Sequence, residues 1–137
     1  MMRIAAAAIV ALALASTGGG NAQPIECHLG KPQQVAELMF GRNSGSRLGV
    51  SDAQWARFVD REITSRFPDG LTVFNTRGQW RDAKRDRIVR EPGKLVQIVL
   101  PGKAEDAERL SNVIKAYKTR FRQQSVGLIV RTACVSF

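Results

Sequence analysis

Two cysteines lie near opposite ends of the chain: Cys27 follows an apolar leader, and Cys134 is the fourth residue from the C-terminus. In an oxidising compartment two cysteines usually pair. A disulfide bond between them would stabilise the fold by roughly 4–5 kcal/mol in the chain-entropy model. Two free buried thiols are the alternative. If the bond forms, the fold must place both ends of the chain side by side.

The first 22 residues have the features of a signal peptide. Ile4–Ala15 is an uninterrupted apolar run, too short for a bilayer core that needs about 20 residues, and small residues follow it. Gly20–Ala22 offers small residues where a signal peptidase cuts, so we expect residues 1–22 to be removed; Ala13–Ala15 is an alternative site. This predicts a periplasmic or secreted protein, with no membrane span after cleavage.

The chain is strongly basic, with 21 Lys and Arg against 12 Asp and Glu and a formal charge of +9. Removal of the leader would delete one cation, Arg3, and no acid. Such an excess attracts anionic partners, among them phosphorylated lipids, polyanionic glycans and nucleic acid. Colloidal solubility is the alternative explanation.

Metal and thiol chemistry are not expected. The only histidine, His28, adjoins Cys27, and neighbouring residues of an extended segment point to opposite faces. This arrangement suits neither a Cys–His pair nor a His-based metal site, so the sequence predicts no metal and no cofactor.

The first half of the mature chain predicts a connector, a strand and a helix. Gln23–Gln34 is expected to be a connector, Val35–Phe40 a strand and Asn43–Ser46 a flexible loop. Ser51 and Gln54 have the spacing of a capping box. Apolar residues then recur on one helical face until Phe67–Gly70 ends the helix; they are Trp55, Phe58, Val59 and Ile63.

The second half predicts a long hairpin, a helix and a last strand. Leu71–Thr76 alternates like a strand, and Lys94–Leu100 is a second apolar strand. Between them we expect an irregular hairpin, bent at Arg77 and Gly78, with a charged tip at Arg81–Arg87 and an interruption at Glu91–Gly93. An apolar helical stripe and a final alternating strand, Val126–Cys134, complete the chain; the stripe comprises Ala107, Leu110, Ile114, Tyr117 and Phe121.

The order strand, helix, strand, strand, helix, strand favours an α+β fold of the ferredoxin-like βαββαβ type. Residues 23–137 would form this single domain, a four-stranded antiparallel sheet of order 4-1-3-2 with two helices on one face. The first and fourth strands are then antiparallel neighbours, so Cys27 and Cys134 would meet. The other face is mixed, and could be a homodimer surface, a ligand floor or a core covered by the hairpin; its apolar members are Met39, Phe74, Val99 and Ile129.

Several segments together resemble a family of small exported bacterial proteins catalogued as a domain of unknown function. They cover most of Val35–Phe137 and end in Ala-Cys-Val-Ser-Phe; the others are Phe40–Arg42, Val50–Val73, Gln79–Asp82, Ile88–Lys94 and Ala116–Phe121. The resemblance implies a leader followed by one globular domain. It implies no activity.

Polar and aromatic residues at the ends of predicted elements are the candidate ligand-binding residues. Guanidinium groups match carboxylate and phosphate geometry, and an aromatic platform beside them suits an anion or a sugar. Alternatively, the arginines pair with Asp69, Asp82 or Glu91, and the aromatic rings cover the core. The candidates are Arg42, Arg66, Trp80, Arg90, Lys94, Tyr117 and Arg120.

Three functions are compatible with these features. We favour a non-enzymatic binding domain for anionic ligands or the envelope surface. A small enzyme of a dimeric ferredoxin-like type is the alternative, with acid–base chemistry by Tyr117, Arg42, Asp69 or Glu91; because no nucleophile–base pair or phosphate loop is present, its catalytic residues are unknown. Nucleic-acid binding is not expected, given export and the lack of an aromatic strand motif.

Overall fold

The alternating segments of the chain form long strands that join into one antiparallel sheet. A computed structural model describes residues 25–137; the predicted signal peptide, residues 1–22, and the expected first mature residue, Gln23, lie outside this range. The elements are β1 (Lys31–Gly41), β2 (Asn43–Ser44), β3 (Arg47–Leu48), α1 (Asp52–Phe58) continued by a π-helical turn (Val59–Thr64), β4 (Thr72–Asp82), β5 (Arg87–Val99), α2 (Asp106–Phe121) and β6 (Gly127–Val135).

The four long strands are arranged in the order β4-β5-β1-β6, and all neighbours are antiparallel. In chain order these are the second, third, first and fourth long strands. Strand β1 is therefore central and pairs with β5 on one side and β6 on the other. The predicted four-stranded antiparallel sheet with two helices is confirmed at this level.

The ends of the domain meet as the cysteine pattern predicted. Pro32 of β1 lies opposite Cys134 of β6. Cys27 and Cys134 form a disulfide bond, with their Cα atoms 5.5 Å apart. The bond therefore joins the segment before β1 to the end of β6, its antiparallel neighbour.

The predicted connector Gln23–Gln34 is wrong over its last four residues, because β1 already begins at Lys31. Pro32 had suggested a connector, since proline cannot donate a backbone hydrogen bond. In this part of β1, however, only β6 is a neighbour, as pairing with β5 starts at Val35. A proline on the unpaired side of a strand removes no ladder bond.

The predicted hairpin is more regular than expected. Pairing of β4 and β5 is unbroken from Thr72 opposite Gln97 to Asp82 opposite Arg87, so neither the bend at Gly78 nor the interruption at Glu91–Gly93 occurs. Pro92 is tolerated because β1 ends its pairing with β5 at Gly93, so no ladder bond is lost there. We call residues 77–92 the ribbon, since these two strands continue beyond β1. The predicted flexible loop Asn43–Ser46 is also wrong, because it forms the short β2–β3 hairpin.

Helix α1 begins as its capping box predicts. Gln54 donates its backbone N–H to Ser51 Oγ, and Ser51 donates its own to Gln54 Oε1. The expected apolar face is buried at Trp55, Phe58 and Ile63. The helix ends at Thr64, slightly before the predicted stop, after one π-helical turn.

Both helices pack on the same face of the sheet, against β1 and β5. Phe40 of β1 lies at the centre and contacts the rings of Trp55, Phe58 and Tyr117 edge to face. The alternation of the outer strands places Val73, Leu128 and Val130 on this same face, yet they remain 38–44% exposed. Two helices cover the two central strands and leave β4 and β6 largely uncovered.

Candidate functional site

The predicted site residues fall in four places. Arg42 and Lys94 converge beside the N-terminus of α1, with Tyr117 packed nearby in the core. Trp80 lies on the opposite face of the ribbon. Arg66 and Arg120 meet between the helices, and Arg90 lies alone on the ribbon, on the same side as the helices.

The first place, which we call the Arg42–Lys94 pocket, contains two buried cations. Arg42 directly follows β1, and its backbone N–H bonds to the carbonyl of Pro92. Lys94 lies opposite Phe40 on β5 and so points toward the helices. The two residues are only 8% and 9% exposed, whereas lysine and arginine are almost never buried unless they are paired.

A single carboxylate lies between these cations. Asp52 Oδ1 is 3.0 Å from Arg42 Nη2 and 3.4 Å from Lys94 Nζ, yet the Asp52 side chain is 81% exposed. Lys94 also donates to Asn75 Oδ1 at 2.5 Å, and Arg42 Nε donates to the carbonyl of Val50 at 2.9 Å. The cations are thus held in place by the protein, while the anion that joins them extends into water.

One N–H group of the Arg42 guanidinium has no hydrogen-bond acceptor within residues 25–137, and a cavity adjoins the two cations. Arg42 Nη2 is buried and has no well-directed hydrogen-bond partner among the described residues, because Asp52 is close but poorly aligned. The adjoining cavity measures about 510 Å³ and is also lined by Arg77 and Thr76. Two fixed cations and a free guanidinium N–H form an arrangement suited to an oxyanion.

Tyr117 supports the pocket from inside the core rather than lining it. Its hydroxyl donates to the carbonyl of Gly41 at 2.7 Å, one residue before Arg42. Burial raises the pKa of the Tyr117 phenol above its ordinary value; Arg42 opposes this rise and Glu91 adds to it. A phenol that stays protonated and donates to the backbone is a structural hydrogen-bond donor and does not suit the role of a general base.

Trp80 belongs to a second groove, on the sheet face away from the helices, that shares Thr76, Arg77, Gly93 and Lys94 with the lining of the pocket. This open-face groove measures about 580 Å³ and lies between the ribbon, the β2–β3 hairpin and the α2–β6 loop. On its floor the Glu91 carboxylate accepts hydrogen bonds from Trp80 Nε1 at 3.0 Å and from the backbone of Asn43 at 3.1 Å. Gly41 leaves the room for it, since a Cβ there would lie 2.8 Å from both Glu91 oxygens.

Two features of the candidate sites were not predicted from the sequence. Asp52 was not singled out because an acid in the first helical turn is expected from the helix dipole alone. Glu91 was considered as a possible partner for arginines and as one acid–base candidate, but the groove in which it lies was not predicted. A signal for the groove exists in retrospect: glycines at Gly41, Gly78 and Gly93 occupy strand positions that share one face.

Arg66 and Arg120 have a structural explanation. Both pair with Glu62, at 2.9 and 3.0 Å, and Arg66 also donates to the Glu62 carbonyl. This cluster links the π-helical turn to α2. Both arginines thus pair with an acid, but it is Glu62 and none of the three acids named from the sequence, Asp69, Asp82 and Glu91.

The hairpin does not bury the apolar residues of the open face, so this alternative is wrong. Met39, Phe74 and Ile129 are 42–47% exposed. Use of this face for a homodimer stays a prediction. Within residues 25–137 no helix has the length and apolar character to cross a membrane.

These features define a class of small α+β domain with one four-stranded antiparallel sheet. The fold is similar to that of a phage SAM lyase in complex with S-methyl-5'-thioadenosine, with a TM-score of 0.60 and 17% identity over 82% of this chain and 97% of the lyase. The same enzyme in its apo state gives 0.57 and 18%, over 83% and 98% of the two chains. CutA from Synechococcus elongatus, complexed with a Bis-Tris molecule, gives 0.51 and 10%, over 80% and 88%. At these identities the similarity establishes the fold alone.

Residues 35–137 match the family model described as "Protein of unknown function (DUF3574)", and the chain belongs to this family. The predicted membership of a family of unknown function is thereby confirmed, while the leader and export stay predictions. No curated protein matches the sequence.

Proposed function

We propose that this protein is an exported, non-enzymatic binding domain whose ligand carries a phosphate or a similar oxyanion bound in the Arg42–Lys94 pocket. The observation that carries the proposal is the pair of cations, each more than nine-tenths buried, that share one exposed carboxylate. Burial of a charge is costly unless it is paired. An oxyanion would supply the partner that Arg42 Nη2 lacks.

Asp52 has a defined role in this proposal as an internal competitor. It contacts both cations from the exposed N-terminal turn of α1, so it can swing into solvent when a ligand enters. In the ligand-free domain, Asp52 would partly neutralise the two buried cations and so help to keep the domain folded. The observed ligand affinity then depends on how much more strongly the ligand binds the two cations than the Asp52 carboxylate does.

Export and the finer fold assignment are parts of the same proposal. The disulfide bond supports an oxidising compartment, since such bonds rarely persist in a reducing cytosol. The position of the first long strand between the third and fourth supports a ferredoxin-like topology. The N-terminus of the mature protein, determined by mass spectrometry, would test cleavage after residue 22.

Titration with inorganic phosphate tests the pocket. We expect Asp52→Asn to raise the phosphate affinity roughly tenfold, because a carboxylate beside both cations is removed. Lys94→Met keeps the aliphatic stem and should lower the affinity by a similar factor. Isothermal titration calorimetry at low salt measures both effects.

Asp69→Asn is the matched control for Asp52→Asn, since it removes the same charge at an exposed turn residue outside the pocket lining. It should leave phosphate binding unchanged. Equal affinities in Asp52→Asn, Lys94→Met and Asp69→Asn would contradict the proposal. Circular dichroism of each variant verifies that the fold is retained.

A small enzyme is the second candidate, and Glu91 is the observation that favours it. A carboxylate fixed by two donors on the floor of a large groove is an arrangement that catalytic sites also use. The phage SAM lyase of similar fold suggests the substrate to try first. Incubation with SAM should then release S-methyl-5'-thioadenosine, detectable by chromatography, and Glu91→Gln should abolish the release; no product from the wild-type protein would remove this candidate.

A further inference from the structure

We propose that the Arg42–Lys94 pocket is the end of a longer site that binds a linear, base-free phosphodiester chain, such as a polyol phosphate polymer. The inference rests on the proposed function and extends it to a substrate class. Its basis is the pattern of cations on the ribbon. One face of the ribbon carries one cation in every cross-strand row, starting from Lys94.

The pairing of β4 with β5 defines these rows. Side chains alternate between the two faces of a strand, so every second residue shares the face of Lys94. Moving away from the core, the paired rows are Asn75 with Lys94, Arg77 with Pro92, Gln79 with Arg90, and Arg81 with Ile88. We call this series of four cations the cation track.

The track has no acid in its rows. Two carboxylates from outside the rows contact the two ends of the track: Asp52 Oδ1 lies 3.4 Å from Lys94 Nζ, and Asp86 in the turn pairs with Arg81. Glu91 and Asp82 belong to the other face, where Glu91 bonds to Trp80 and Asp82 lies opposite Arg87. The ribbon therefore separates a cationic face from a face of mixed charge. The positive charges of the cation track therefore complement a polyanion along only one face of the ribbon.

The spacing of the track restricts the ligand. Successive rows lie two residues apart along each strand, which is about 7 Å. A phosphodiester chain places one negative charge on each repeating unit at comparable intervals. In polyphosphate, by contrast, neighbouring phosphates share an oxygen atom, so its charges are much closer together than the rows.

The track offers no surface for bases. Trp80 projects to the opposite face, and the eight positions of the four rows contain no aromatic side chain. Single-stranded nucleic acid gains much of its affinity from bases stacked on aromatic rings. A base-free polymer needs no such platform. We therefore assign the track to a polyol phosphate type of chain and treat single-stranded DNA as an outcome of the test.

Fluorescence anisotropy with short labelled poly(glycerol phosphate) at low salt tests the track. The variant Arg81→Gln with Arg90→Gln removes two track cations outside the pocket lining. It should bind about tenfold more weakly and show a shallower dependence of affinity on salt, because fewer counterions are released.

Arg85→Gln with Arg87→Gln is the matched control. These residues lie on the same ribbon but line the open-face groove. Each of the two double variants removes one arginine that pairs with a ribbon aspartate, Arg81 in one and Arg85 in the other. The control should retain the polymer affinity within about twofold. Equal losses in the two double variants would overturn the track, and tighter binding of labelled oligothymidylate than of the polymer would overturn the base-free assignment.

Inorganic phosphate separates this inference from the proposed function. Both double variants should bind phosphate as the wild-type protein does, because neither changes the pocket. If the polymer experiment contradicts the track while phosphate binding is normal, only the track is refuted. Absence of phosphate binding in the wild-type protein refutes the pocket and the track together.

Discussion

Tyr117 illustrates how one side chain can connect the core to the pocket. Its ring packs against Phe40, Phe58 and Phe121, and its hydroxyl reaches the Gly41 carbonyl just before Arg42. The position of the buried guanidinium therefore depends on a hydrogen bond made deep in the core. Tyr117→Phe should lower the free energy of unfolding by about 1–2 kcal/mol, because a buried carbonyl loses its donor. Urea unfolding measures this loss.

The pH dependence of stability provides a second test of Tyr117. Burial raises the pKa of its phenol above the ordinary value of 10.0. The folded state thus retains the proton longer than the unfolded state, so the contribution of Tyr117 is complete below about pH 10 and declines as the pH rises further. Tyr117 is the only tyrosine, so absorbance at alkaline pH reports it alone. The Tyr117→Phe variant should lose this part of the decline; identical pH profiles would contradict the assignment.

Gly41 is required by the carboxylate that lies over it. A Cβ at Gly41 would approach both Glu91 oxygens to 2.8 Å, so Gly41→Ala should displace Glu91 and break its bonds to Trp80 and Asn43. We expect a loss of about 1 kcal/mol in unfolding free energy. In a Glu91→Ala background the same substitution should cost little. A double-mutant cycle without coupling would show that the contact is unimportant.

At the scale of elements, the N-terminus of α1 joins the capping box to the pocket. Ser51 caps the helix, and Asp52 follows it immediately, beside both buried cations. Ser51→Ala should lower the free energy of unfolding by about 1 kcal/mol. It should also raise the phosphate affinity, because a frayed first turn holds Asp52 less firmly against the cations. Chemical denaturation and phosphate titration measure the two effects. A loss of stability without any change in phosphate affinity would show that the cap does not influence the pocket.

The elements could be predicted because their signals are local. The capping box, the apolar faces of both helices and the alternation of the strands each depend on residues close in sequence. The errors arose where a neighbour in space decided the outcome. Pro32 and Pro92 lie in strands because no partner needs their missing N–H. Val73 and Leu128 are exposed because two helices cover only the central strands.

The site was harder to predict for the same reason. Arg42 and Lys94 were candidates separately, since each stands at the end of an apolar segment. Their convergence on Asp52 depends on the return of β5 beside β1 and on the position of α1. Arg66 and Arg120 had equal claims from sequence, yet the fold pairs both with Glu62. Sequence alone could not separate a cation of the candidate pocket from one that joins two helices.

At the scale of the whole molecule, the disulfide bond links residues 107 positions apart at one corner of the sheet. Replacement of both Cys27 and Cys134 by Ser should lower the free energy of unfolding by about 2–4 kcal/mol. The fold should persist, because the pairing of β1 with β6 does not need the bond. Urea unfolding with and without dithiothreitol measures the effect. The reductant should destabilise the wild-type protein and leave the double variant unchanged.

The corner that holds the disulfide bond is also distant from the pocket, because the eleven residues of β1 separate them. At about 3.3 Å per residue, that strand extends for more than 30 Å. An affinity handle fused after Phe137, two residues beyond β6, would therefore emerge at the far end of the sheet. The domain could be immobilised through that end on a sensor chip, and the arginines of the pocket and the cation track would remain accessible to a polymer in the flowing solution.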